Sequence, residues 1–92
     1  MIYDKVDNKE KLTFGEFLEF LQKYGEVEFT RNHVRYMLFR LNGEITFDEW
    51  GVVTSRHEQK YRDINEFAKK ANINGKLLEN IWNEVTDIDY LQ

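Results

Sequence analysis

The chain has 92 residues and a formal charge of −4, room for one domain and little more. Hydrophobic residues make up 41% and aromatics 15%, too apolar for a disordered chain, and the lack of cysteine excludes a disulfide framework, an iron–sulfur cluster and a Cys-based zinc site. No apolar run reaches the roughly 18 residues of a transmembrane helix, and Met1-Ile2-Tyr3-Asp4-Lys5 lacks a signal pattern, so a cytoplasmic domain without membrane contact is expected.

The charge is uneven. Residues 1–30 carry −3, residues 31–70 carry +2 and residues 71–92 carry −3. A basic middle favours an anionic partner locally, while the whole molecule repels nucleic acid at long range.

The spacing predicts a first helix over Thr13 to Tyr24. Phe14, Phe17, Leu18 and Leu21 follow the i, i+3, i+4, i+7 pattern. Thr13-Phe14-Gly15-Glu16 reads as a capping box and Gly25 as a left-handed stop. A second helix is expected after Thr30, with Val34, Met37, Leu38 and Leu41 inward and Asn42-Gly43 as its end. A third starts at Thr46-Phe47-Asp48-Glu49, with Phe47, Trp50 and Val53 inward, and runs into the polar stretch from Ser55 to Arg62. A fourth follows Asp63, with Ile64, Phe67, Ala68 and Ala71 inward. Asn72-Ile73-Asn74-Gly75 is a tight turn, and a fifth helix carries Leu77, Leu78, Ile81, Trp82 and Val85. The expected fold is therefore all-α: one helical domain over residues 1–92, a bundle of about five short helices with at most a tiny two-stranded bridge.

One internal echo stands out. Leu12-Thr13-Phe14-Gly15-Glu16-Phe17 resembles Ile45-Thr46-Phe47-Asp48-Glu49-Trp50, and both resemble the second half of an EF-hand calcium loop. That likeness implies Gly43 at the loop's sharp turn and Glu49 as bidentate ligand. The oxygen-ligand positions before it hold Leu38, Arg40 and Asn42, so no metal is expected, and the two segments read as capping boxes that could pair 12–13 with 45–46.

Residues 64–83 resemble a helix-turn-helix. Ala68 stands at the small position, Asn72 at the turn, Ile73 after it, and Leu78 and Ile81 at the packing positions of the second helix. The resemblance implies DNA contact through Asn74, Lys76 and Asn80, with Lys69 and Lys70 adding phosphate contacts. Lys76 is offset by Glu79, and Glu84, Asp87 and Asp89 follow, a poor supply of phosphate contacts.

On the second predicted helix, Arg31 and Arg35 fall at i, i+4. With Tyr36 and Phe39 they make a candidate surface for a partner's carboxylates or phosphate, or a solvated face paired to Glu26 and Glu28. His33 and His57 stand 24 residues apart without metal-ligand spacing, and no nucleophile or phosphate-loop pattern occurs. Neither an enzyme nor a cofactor is expected. The reading is a non-enzymatic protein-binding module: an adaptor, modulator or inhibitor of a larger protein. Its size and its Asn, Lys, Ile and Glu bias suit a phage or mobile-element accessory protein of a low-GC bacterium. The alternative is a helix-turn-helix transcriptional regulator that binds DNA.

Overall fold

The computed structural model describes residues 3–5, 12–51 and 58–91, with backbone pairing alone at 3–5 and 91. The strands are β1 (Tyr3–Lys5), β2 (Glu26–Arg31), β3 (Val34–Leu41), β4 (Glu44–Glu49), β5 (Gln59–Tyr61), β6 (Asn72–Ile73), β7 (Lys76–Leu77) and β8 (Thr86–Leu91). Among the described residues, two α-helices, α1 (Phe14–Tyr24) and α2 (Ile64–Lys70), and a 3-10 helix (Leu78–Glu84) accompany them. Six strands form one antiparallel sheet in the order β1-β8-β2-β3-β4-β5, and β6 and β7 form a separate hairpin.

The all-α bundle is thereby corrected to a mixed fold, helices packed on one face of an antiparallel sheet. The second predicted helix is instead the Asn32-His33 turn followed by β3, and the third begins within β4. The cause lies in the turns. Asn32-His33 and Asn42-Gly43 each join paired strands in two residues, and all four have positive φ. That is the geometry of a type I′ hairpin, whose twist matches the flanking strands. Asn42-Gly43 therefore reverses a strand where the sequence pattern suggested a helix stop. Asn74-Gly75 does the same between β6 and β7 (φ 53° and 82°). The 12–13 to 45–46 bridge does not form, because Ile45 pairs with Arg40 on one side and Tyr61 on the other. Val53 and His57, and the stretch in which the third predicted helix would end, lie partly or wholly outside the described residues.

Local signals hold at the two α-helices. Thr13 Oγ1 accepts from the Glu16 amide at 3.1 Å, Glu16 Oε1 accepts from the Thr13 amide at 2.9 Å, and Gly25 closes α1 at φ 77°. Asp63 Oδ1 accepts from the Glu66 amide at 2.8 Å to start α2. These bonds satisfy end donors that the helix itself cannot pair. They depend only on neighbours three residues away, which is why the sequence displays them.

The core lies between the helices and the inner sheet face. Phe17 of α1 sits 4.5 Å, centroid to centroid, from Trp82, 6.1 Å from Phe29 and 6.2 Å from Phe67. Phe47 and Phe67 pack edge-on at 5.9 Å. Leu21, Val27, Leu38, Ile45, Leu78, Val85 and Ile88 fill the rest of this layer. Burial of each such aliphatic side chain contributes about 1.5–3 kcal/mol. Trp50, placed in the core by the sequence pattern, is 54% exposed, because it lies in the turn just past β4 rather than facing a bundle interior. Leu77 is likewise exposed on β7.

Candidate functional site

Strand pleating sends alternate residues to opposite sides of the sheet. Val27, Phe29 and Arg31 on β2 and Tyr36 and Leu38 on β3 face the core. Glu26, Glu28 and Thr30, with Arg35, Met37, Phe39 and Leu41, face the other way. On that outer face the register builds two rows. One runs Asp89, Glu28, Met37, Asp48, and the next runs Glu26, Phe39, Thr46, Lys60. Leu41 and Glu44 pair beyond them. Among the described residues, both α-helices and the 3-10 helix pack on the inner side, and the outer face carries no covering element.

This geometry divides the predicted partner surface. Arg31 and Tyr36 are buried on the inner face, 6% and 5% exposed, and Arg31 Nη2 donates to Glu84 Oε1 at 2.9 Å. The Arg31 Nε is buried without a hydrogen-bond partner. Burial pushes the Tyr36 phenol up from its ordinary value, Glu49 adds to the rise, and Arg31 opposes it. Arg35 and Phe39 lie on the outer face. The i, i+4 relation between the two arginines fails because a hairpin turn intervenes, leaving Arg31 opposite Val34 and Arg35 opposite Thr30.

Arg35 organises the outer face. Its Nε donates to Glu28 Oε1 at 3.2 Å, and its Nη1 donates to Thr30 Oγ1 at 3.0 Å and to the Asp87 carbonyl at 2.5 Å. Nη2 donates to Asp89 Oδ2 at 2.5 Å. The Asp87 carbonyl is available because β8 bulges there. Its register against β2 shifts between Glu28 and Thr30, and Asp87 has φ 50°. A bulge of this kind turns a backbone group out of the ladder.

Toward the β3–β4 turn the outer face opens into a groove of about 850 Å³, lined by Tyr24, Glu26, Phe39, Leu41, Glu44 and Lys60 among others. Phe39 is 38% exposed and Leu41 74%. The sequence named Phe39 and Arg35 but missed Met37 and Leu41 as outward-facing residues, since a helical reading put both inside. The signal that identifies them is the Asn42-Gly43 hairpin, which sets the register and so the face.

The helix-turn-helix segment folds as α2, the β6–β7 hairpin and the 3-10 helix. Asn74 is exposed at the hairpin tip, Lys76 on β7, Asn80 on the 3-10 helix, and Lys69 and Lys70 on the last turn of α2. Beside those lysines, Arg62 pairs with Glu66 at 3.4 Å and Asp63 at 3.7 Å. Among the described residues no three His, Asp or Glu side chains converge as a metal site, and no helix is long and apolar enough to cross a membrane. Comparison of the chain with models of protein families, with curated protein sequences and with solved structures finds no match.

Proposed function

We propose that this chain is a non-enzymatic protein-binding module that docks a partner on the outer face of its sheet. The observation that carries the reading is the exposure of Phe39 and Leu41 side by side with Met37 on a sheet face that no described helix covers. An antiparallel sheet tolerates a wet face when that face is polar. Here the strand instead presents the exposed Phe39 and Leu41 in a row with the half-buried Met37, apolar surface that is unfavourable in water and that a partner would bury. The test is capture of partners by the tagged protein from cells that produce it, repeated with Phe39→Asp and Leu41→Asp. Leu77→Asp, at an exposed apolar residue on the separate hairpin, is the control. A stoichiometric partner kept by the wild type and the control, and lost by both outer-face variants, supports the reading. A partner that the outer-face variants retain removes it.

A DNA-binding regulator is the second reading, supported by the exposure of Lys69, Lys70, Asn74, Lys76 and Asn80. Selection from a random duplex library at roughly 150 mM salt, where weak phosphate binding has largely gone, decides it. One enriched motif, lost on Lys76→Glu, would make this the better reading.

A further inference from the structure

The charge and spacing of the outer face say what chemistry the partner has, an inference that rests on the docking reading above. Met37, Phe39 and Leu41 follow one another along β3. On one side run Glu28 and Glu26 of β2, and on the other Asp48, Thr46 and Glu44 of β4. The result is an apolar ridge between two acidic rails. Among the described side chains this face carries five carboxylates (Glu26, Glu28, Glu44, Asp48, Asp89) against Arg35 and Lys60. Arg35 is already engaged by Glu28 and Asp89, which partly neutralises both, so the net negative charge of the rails comes from the other three carboxylates.

We infer that the occupant is a basic amphipathic helix of a partner protein, apolar stripe inward and Lys or Arg on its flanks. Same-face residues on a strand are about 6.8 Å apart, and helix residues at i and i+4 about 6 Å apart, so three ridge residues match three successive turns of a helix laid along β3. The rails are separated by two strand spacings, about 9.6 Å, close to the 10–12 Å width of an α-helix with its side chains. Cations on both helix flanks then reach the carboxylates while the apolar stripe covers Phe39. Self-association through this face would set two acidic surfaces against each other, and nucleic acid or an anionic membrane would meet the same repulsion. A helix here would give the sheet on its outer side the cover that α1 and α2 give it on the inner side.

The experiment is selection from a displayed library of random peptides of about 16 residues, roughly 24 Å as helix, on the wild-type protein, with the Phe39→Asp variant as counter-selection. The expected result is enrichment of peptides with an apolar i, i+4 pattern and an excess of Lys and Arg. Their binding should weaken about tenfold on Phe39→Asp, and likewise on the double change Glu26→Lys with Glu44→Lys. It should also weaken severalfold between about 50 and about 300 mM salt, as a screened interaction does. Amide resonances of Met37 to Leu41 should shift on peptide addition. Peptides that depend on Phe39 but carry no basic excess would overturn the inference and leave the docking reading standing. Absence of any Phe39-dependent peptide, together with partners retained by Phe39→Asp, would remove both.

Discussion

Arg35 on β3 reaches across β2 to Asp89 on β8, placing Nη2 2.5 Å from Oδ2 and tying three strands together on the outer face. Both side chains are about three-quarters shielded, and the guanidinium also holds Glu28, Thr30 and the bulge carbonyl of Asp87. A charge in such a network contributes more than an exposed ion pair. Arg35→Met should therefore cost about 1.5–3 kcal/mol in urea unfolding, because it removes charge-assisted hydrogen bonds to two partly shielded carboxylates and a backbone carbonyl at once. A loss below about 0.5 kcal/mol, the size of an ordinary surface change, would show that the network is ornamental.

Gly43 sits at φ 84° with open space where a Cβ would go. The cost of a side chain there is conformational and not steric. Gly43→Ala should lose about 1 kcal/mol by forcing an L-residue into left-handed backbone. D-alanine at the same position, introduced by chemical synthesis, prefers that backbone and should at least match the glycine. Equal loss from both enantiomers would contradict the hairpin geometry.

The two tryptophans should be separable by fluorescence. Trp82 is 7% exposed and its Nε1 donates to the Leu12 carbonyl at 2.7 Å, while Trp50 is 54% exposed. In Trp50→Phe the remaining emission should be blue-shifted and shielded from iodide, with stability changed by no more than about 0.5 kcal/mol. Trp82→Phe should leave only red-shifted, quenchable emission. It should also cost about 1–3 kcal/mol, since a buried carbonyl loses its donor.

Alkaline stability should carry the signature of two phenols. Burial raises Tyr36, with Glu49 next and Arg31 opposing, and burial raises Tyr61, with Glu66 next. A folded-state value above the unfolded one, which is about 10, means the native state holds its protons longer. The stabilisation is complete below pH 10 and is lost as pH rises through the folded values. Unfolding free energy measured from pH 8 to about 11 should fall at the top of that range, and Tyr36→Phe or Tyr61→Phe should make the fall shallower. A wild-type profile no steeper than that of the double Phe variant would count against buried, neutral phenols at these positions.

Sequence by itself determined the pieces whose bonds are local. The Thr13–Glu16 capping box, the Gly25 stop and the Asp63 cap join residues three or four apart, so the chain displays them without a fold, and α1 and α2 lie where their patterns put them. The core was largely legible for a different reason, the hydrophobicity of its side chains: Phe17, Leu21, Leu38, Phe67, Ile81 and Trp82 are buried whichever element carries them. Only the tertiary structure decided that Val34 to Leu41 is a strand. Apolar residues stand on both of its faces, Val34, Tyr36 and Leu38 inward and Met37, Phe39 and Leu41 outward, and such a run has no period of two to read. Val34, Met37, Leu38 and Leu41 happen to fit a helical stripe as well. The choice fell to non-local pairing with β2 and β4, closed by turns at Asn32-His33 and Asn42-Gly43. The outward apolar residues that disguised the strand are the same ones that form the candidate docking ridge. Their exposure is a property of the sheet's two faces, which exist only once the strands have paired.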